Sequence, residues 1–107
     1  MMRIGQMIKV KPEGLQAYKD YHANPLPGVN EMIKECNIQN YSIYSRGDYL
    51  FTYFEYVGDD YEADMAKMAA DPTTQKWWDL VKPLMEPLAD KLEGEFWSDM
   101  EEVYHLD

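Results

Sequence analysis

The sequence predicts an α+β fold in which helices pack on one face of an antiparallel sheet. Segments with strand-like and helix-like patterns follow one another in the order β, α, β, β, α, β. A short turn with glycine at its centre joins the two middle strands into an antiparallel hairpin. This order is that of the split βαβ, ferredoxin-like architecture, and the chain length fits a single domain over residues 1–107.

The first half of this order is a strand followed by a divided helical region. Residues Met2–Val10 alternate imperfectly between apolar and polar side chains, which indicates a strand. A proline and a glutamate then start a helix that runs to about Ala23, where the proline-rich stretch Asn24–Gly28 interrupts it. From Val29 onward apolar side chains recur at i, i+3, i+4 and i+7, which predicts a second, amphipathic helical segment.

The central hairpin consists of Ile38–Ser45 and Tyr49–Val57, joined by the turn Arg46-Gly47-Asp48. The second strand is apolar or aromatic on both of its faces. Helices are expected to cover one face, and a partner subunit or a ligand cavity must cover the other. We therefore expect a homodimer of the dimeric α/β-barrel type.

Two helices and a final strand complete the predicted order. The segment Tyr61–Ala70 has helical spacing, and Asp71 with Pro72 provides an N-cap and a first helical residue for the next helix. Two prolines weaken the second half of that helix, so we expect a kink or an early end. A last strand is expected within residues 95–106, most clearly from Met100 onward.

The charge balance argues against nucleic acids and anionic membranes as partners. The formal net charge is −10, and the ten Lys and Arg residues are scattered, so no basic stripe can bind a polyanion. The single cysteine, Cys36, excludes an internal disulfide and fits a reducing compartment. Because no apolar run reaches transmembrane length and no signal peptide is recognisable, the expected location is the cytoplasm.

The sequence contains no pattern that predicts a metal site or a cofactor. His22 and His105 are the two histidines, and no spacing of His, Cys and Glu matches a closed zinc or iron site. No glycine-rich phosphate loop or dinucleotide-binding fingerprint is present. The expected chemistry is therefore that of ordinary side chains.

The pair Tyr18 and His22 is the main candidate for such chemistry. The two residues are four positions apart on the first predicted helix, so they share one face. The helix break at Asn24–Gly28 follows directly. A histidine can take up and return a proton near pH 7, but a lone helical histidine is more often a surface or core residue. An acid/base site at this position is thus a hypothesis.

Aromatic residues provide candidate binding surfaces. The hydroxyls of Tyr18 and Tyr41 can donate to polar ligand oxygens, although nine tyrosines make any single choice weak. Trp77 and Trp78 point about 100° apart on a helix, so one can pack inward while the other faces a cavity or a partner. The pair suits stacking on a sugar ring, and it suits a core position beside a dimer interface equally well.

Five motifs form a series over nearly the whole chain: Tyr18 with His22, the Pro25/Pro27 stretch, Asn40–Tyr44, Gln75–Trp78 and Glu102–Leu106. In order and in spacing, this series resembles the L-rhamnose mutarotase family. The resemblance implies a dimeric ferredoxin-like fold and a cofactor-free aldose 1-epimerase that takes a monosaccharide as substrate. It assigns the acid/base role to His22 and the sugar site to Tyr18, Tyr41 and the pair Trp77-Trp78. For the second catalytic group, Tyr18 is the first choice and a bound water the second.

One motif departs from the family pattern. Family members typically continue from the histidine to a Trp-Pro-Glu triplet, and the matching positions here are Leu26-Pro27-Gly28. The chain therefore lacks a stacking surface and a carboxylate in this segment. A changed substrate specificity is expected to originate here.

The implied reaction interconverts the α and β anomers of a 6-deoxyhexose such as L-rhamnose. A base removes the proton of the anomeric O1 while an acid protonates the ring oxygen; the ring opens, the C1–C2 bond rotates, and the ring closes to the other anomer. Two alternatives stay open. One is a small dimeric ferredoxin-like monooxygenase, and the other is a non-catalytic sugar-binding module on the same fold.

Overall fold

A five-stranded antiparallel sheet and four helices make up the protein, as the predicted α+β class requires. The computed structural model describes residues 1–107. The strands are β1 (Met2–Val10), β2 (Ile38–Arg46), β3 (Tyr49–Tyr56), β4 (Met85–Glu86) and β5 (Ser98–Met100). The helices are α1 (Leu15–Ala23), α2 (Val29–Glu35), α3 (Tyr61–Ala70) and α4 (Pro72–Val81).

Strands β1 and β3 form the centre of the sheet. The strand order is β2-β3-β1-β4, and β5 pairs with β1 on the same side as β4. The pairing of β1 with β3 runs without interruption from Met2 opposite Tyr56 to Lys9 opposite Tyr49. The hairpin of β2 and β3 is antiparallel, as the short turn between them predicts.

The helices cover one face of the sheet. Every second residue of β3 is buried, beginning with Leu50. These residues contribute to two core clusters, a larger one that includes side chains of α1, α2 and α4 and a smaller one against which α3 packs. The alternate residues of β3 belong to neither cluster and lie on the other face: Tyr49, Phe51, Tyr53 and Glu55.

The predicted last strand is the main element that the structure corrects. Of residues 95–106, only Ser98–Met100 form a strand, and residues 101–107 are exposed and irregular, although we expected the strand most clearly from Met100 onward. Met100 lies opposite Gly5, and β1 begins only three residues before Gly5. Beyond Met100, the C-terminal chain can therefore pair with at most three more residues of β1. Beyond those three residues, a strand that continued to residue 106 would have no backbone partner on β1.

The proline-rich end of α4 behaves as predicted. The helix ends at Val81, and a 3-10 turn over Lys82–Leu84 contains the first of the two prolines. The short strand β4 that follows was not predicted, because two residues are too few to show the alternation of apolar and polar side chains that indicates a strand. None of the helices is long and apolar enough to cross a membrane.

Candidate active site

A cavity of about 870 Å³ opens between the helices α1 and α2 and the edge strand β2. Its floor includes Leu50 of β3 and Trp77 of α4. Of the five residues predicted for the site, four line this cavity: Tyr18, His22, Tyr41 and Trp77. It is a mostly apolar pocket with a few polar groups, which is the usual character of a small-molecule site.

The helix break between α1 and α2 shapes one wall of the cavity. Gly28 precedes α2 with φ 98°, a backbone conformation that is open to glycine and strained for other residues. This conformation turns the chain sharply from the end of α1 into α2, and Pro25 and Val29 on either side of the bend both line the cavity. Leu26 packs against the main core cluster instead.

His22 lies in the last turn of α1 with its imidazole in a fixed orientation. Nδ1 is 2.7 Å from the backbone carbonyl oxygen of Tyr18, one helical turn earlier. Because a carbonyl oxygen can only accept, Nδ1 of the neutral ring carries the proton and Nε2 keeps a lone pair. Burial lowers the pKa of His22 and outweighs the opposite effect of the carbonyl. The imidazole is therefore neutral near pH 7, with a basic nitrogen at Nε2.

Tyr18 lies beside His22, and the pKa of its phenol is raised, whereas that of the histidine is lowered. The two ring centroids are 4.1 Å apart, and Tyr18 is only 5% exposed. Burial raises the pKa of the Tyr18 hydroxyl well above its usual value, and the nearby Tyr41 hydroxyl raises it further. The phenol thus keeps its proton at neutral pH. A protonated phenol next to a neutral imidazole gives the site a donor and an acceptor side by side.

The two tryptophans, Trp77 and Trp78, lie in different surroundings. Trp77 is 8% exposed, lines the cavity, and meets the His22 ring edge-on at 5.0 Å between centroids. Trp78 lies outside the cavity lining, where Nζ of Lys82 sits 4.2 Å from its ring centroid and 5.0 Å from that of Phe96. The expected difference in direction is present, and the predicted binding role of Trp78 stays a prediction.

Tyr41 reaches the cavity because strand β2 contains a bulge. The register with β3 shifts between Gln39 and Ser42, which places one extra residue in β2. The ring of Tyr41 lies 5.3 Å from that of Phe54, a residue of the helix-covered face. Tyr41 keeps 41% of its surface exposed at the sheet edge, while removal of its hydroxyl from water raises the pKa of that group.

Several polar residues of the cavity were not predicted. They are Lys19, Asn30, Lys34, Gln39, Asn40, Tyr44 and Ser45. Most of them are exposed residues on helix or strand edges, and their sequence pattern is that of any solvated surface. No group of three or more His, Cys, Asp or Glu side chains is arranged to hold a metal ion.

These features define a ferredoxin-like α+β protein with a mostly apolar cavity between its helices and its sheet. The sequence profile described as L-rhamnose mutarotase matches residues 3–106. An L-rhamnose mutarotase of Lactiplantibacillus plantarum is 31% identical over 109 residues, with 100% of both chains covered. The chain belongs to the L-rhamnose mutarotase family, whose members are isomerases that act on carbohydrates.

Solved structures agree on the fold. The crystal structure of an L-rhamnose mutarotase from Formosa agariphila matches with a TM-score of 0.76 at 23% identity and covers 100% of both chains. Tetracenomycin F2 cyclase from Streptomyces glaucescens, a polyketide cyclase, matches with a TM-score of 0.67 at 14% identity, again over 100% of both chains. The same fold therefore carries more than one chemistry, so function has to be argued from the family and from the site.

Proposed function

We propose that the chain interconverts the α and β anomers of a 6-deoxyhexose such as L-rhamnose by acid/base ring opening and closure. Membership of the L-rhamnose mutarotase family supports the mutarotase activity. The observation that carries the mechanism is the pairing of a neutral imidazole with a protonated phenol in one aromatic cavity. Family membership supports neither the monooxygenase nor the non-catalytic alternative.

His22 is the base in this proposal. Its Nδ1–H donates to the Tyr18 carbonyl, which leaves Nε2 to take the proton of the anomeric O1. The resulting imidazolium keeps the same contact to the carbonyl, so no reorientation of the ring is needed. The proton returns to O1 when the ring has closed, and His22 ends the cycle neutral.

Tyr18 is the acid. Its hydroxyl donates a proton to the ring oxygen as the C1–O5 bond breaks, and it recovers that proton when O5 attacks C1 from either face of the aldehyde. A phenol with a raised pKa is a weak acid, which suits a reaction that already proceeds slowly in water and needs only moderate help. The two proton transfers balance, and the sugar returns to the same composition.

Trp77 and Tyr41 hold the sugar in this proposal. The buried indole presents an apolar surface to the C–H face of the ring, and the Tyr41 hydroxyl donates to a sugar oxygen.

The bend at Gly28 gives this chain its own substrate preference in the proposal. A side chain at Gly28 would be strained at φ 98°, so the glutamate of the family triplet cannot be restored without reshaping the bend. Leu26 fills core space instead of presenting an aromatic face. We expect discrimination among 6-deoxyhexoses to differ from that of relatives with the Trp-Pro-Glu triplet.

A cytoplasmic homodimer is the expected form of the enzyme. The face of the sheet opposite the helices carries three aromatic side chains of β3, namely Tyr49, Phe51 and Tyr53. A second copy of the chain would cover this face, as the sequence predicts. Sedimentation of the purified protein tests the assembly.

Saturation-transfer NMR on the anomeric protons of a panel of aldoses tests the function. The wild type should accelerate exchange of L-rhamnose or another 6-deoxyhexose above the buffer rate, and His22→Ala should abolish the acceleration. His105→Ala is the matched control, because His105 is exposed on the C-terminal tail and pairs with Asp107. Exchange at the buffer rate with every sugar would contradict the proposal.

A further inference from the structure

We infer that Glu55, on the sheet face opposite the cavity, is a positioning residue that fixes Tyr41 in the sugar site. The inference rests on the proposed function, because it concerns the residue that donates to the sugar. Glu55 does not line the cavity, so it cannot touch the ligand itself. Its effect passes through Gln39 and Asn40, the residues of β2 that it contacts directly before Tyr41.

The direction of Tyr41 depends on a single extra residue. Without the bulge, strict alternation from Ile38, which is buried on the helix side, would send Tyr41 to the opposite face. With the bulge, Ile38, Tyr41 and Ile43 all face the helices, and Ile43 is paired with the buried Thr52. The cavity therefore contains the Tyr41 side chain only while the bulge is maintained.

The bulge contains a strained residue. Asn40 has φ 51°, a left-handed conformation that asparagine tolerates better than most residues but still adopts at some cost. Strand β2 is at the edge of the sheet, so no further strand of the chain holds the bulge from outside. Another contact has to keep Asn40 in this conformation.

Glu55 provides that contact. Its Oε1 accepts from Nδ2 of Asn40 at 2.6 Å and from Nε2 of Gln39 at 3.0 Å, which are the two residues directly before Tyr41. Its Oε2 accepts from the Tyr53 hydroxyl at 2.8 Å. These hydrogen bonds lower the pKa of Glu55, so the carboxylate is charged and the bonds to it are of the stronger, charge-assisted kind.

The arrangement assigns separate roles to the three donors. Gln39 and Asn40 connect the carboxylate to the bulge, whereas Tyr53 connects it to its own strand, β3. Tyr53→Phe therefore removes a hydrogen bond to the same carboxylate without touching the bulge. It serves as a matched control on the same face of the sheet.

The test compares anomeric exchange in Glu55→Ala, Glu55→Gln, Tyr53→Phe and Tyr41→Phe, and in the double variant of Glu55→Ala with Tyr41→Phe. Loss of one net hydrogen bond to the sugar predicts a decrease of about 3- to 10-fold in kcat/KM for Tyr41→Phe. Glu55→Ala should lose a similar factor, mainly through KM. Glu55→Gln should recover part of it, because its amide oxygen can still accept from Asn40, and Tyr53→Phe should stay near the wild-type value.

The double variant decides the inference. If Glu55 acts through Tyr41, then Glu55→Ala should cost nothing more once Tyr41 is phenylalanine. A further loss of the same size in the double variant, or a wild-type kcat/KM in Glu55→Ala, would overturn the inference and leave the proposed function intact. No acceleration by the wild type would reject the proposed function itself. If Glu55→Ala does not fold, Asn40→Ala replaces it with the same expected losses, since alanine lacks the bond to Glu55 and, unlike glycine, does not relieve the strain at φ 51°.

Discussion

Protonation of His22 should stop the reaction as the pH is lowered. Burial holds the pKa of His22 below its ordinary value of 6.5, so the base is neutral over the physiological range. With a pKa of at most 6.5, at least about nine tenths of the imidazole is neutral at pH 7.5, and at least about half is neutral at pH 6.5. The exchange rate should therefore reach a plateau by about pH 7.5 and fall about tenfold per pH unit below the His22 pKa.

Saturation-transfer NMR of L-rhamnose between about pH 5 and pH 8 measures this profile. The exchange rate in enzyme-free buffer is subtracted at each pH, because acid and base also catalyse mutarotation in water. His105→Ala should give the same profile as the wild type. A midpoint above pH 6.5, or a rate that increases toward acid, would refute the assignment of neutral His22 as the base.

The same burial predicts how the free energy of unfolding depends on pH. In the unfolded chain His22 has its ordinary pKa, and in the folded chain its pKa is lower. Between the two values only the unfolded chain binds the proton, so stability decreases as the pH falls through 6.5 and levels off below the folded pKa. Urea unfolding at pH 7.5 and pH 5.5 should show a smaller decrease in His22→Gln than in the wild type. An equal decrease in both would contradict the burial of His22.

Four further substitutions test the rest of the site. Tyr18→Phe should lower kcat about 10²-fold with little change in melting temperature, because it removes the proposed acid and keeps the ring; a wild-type kcat would remove Tyr18 from the mechanism. Trp77→Leu should raise KM about 2- to 10-fold, whereas Trp78→Leu should raise it less, since Trp78 lies outside the cavity lining with Lys82 over its ring; the opposite order would place the sugar elsewhere. Gly28→Ala should decrease the free energy of unfolding by about 1–3 kcal/mol in urea titrations, because φ 98° is strained for alanine, and unchanged stability would show that the bend relaxes without cost.

The overall architecture could be predicted because local patterns and the fold agree. The apolar spacing from Val29 and the β propensity of Tyr49–Val57 both correspond to real elements, α2 and β3. The early end of α4 also follows from local chemistry, since proline interrupts the helical hydrogen bonds. The short length of the C-terminal strand could not be predicted, because it depends on pairing with β1, and the tail sequence carries no information on that pairing.

The candidate site was predictable to the extent that it depends on helical spacing. Tyr18 and His22 are one turn apart, so their proximity follows from the sequence alone. The tautomer of His22 does not follow from it, because it depends on the contact between Nδ1 and the Tyr18 carbonyl oxygen, which helical spacing alone does not reveal.

The position of Tyr41 also required the structure. Reading β2 as a regular strand places Tyr41 on the wrong face, and the bulge that corrects this depends on a contact with Glu55, fifteen residues away from Asn40. Likewise, adjacent tryptophans predict a difference in direction, but only the structure shows that Trp77 lines the cavity and that Trp78 lies outside it, with Lys82 over its ring. Both outcomes depend on contacts between segments that are distant in sequence.

The rate of α–β exchange of L-rhamnose at pH 7.5, measured for the wild type and for His22→Gln, shows whether His22 is the base. At this pH the His22 base is almost fully neutral, so the wild type should exceed the buffer rate by the largest margin. His22→Gln, which keeps a polar side chain of similar length, should lose about 10²-fold or more of this acceleration. Equal exchange rates for the two proteins would remove His22 from the mechanism.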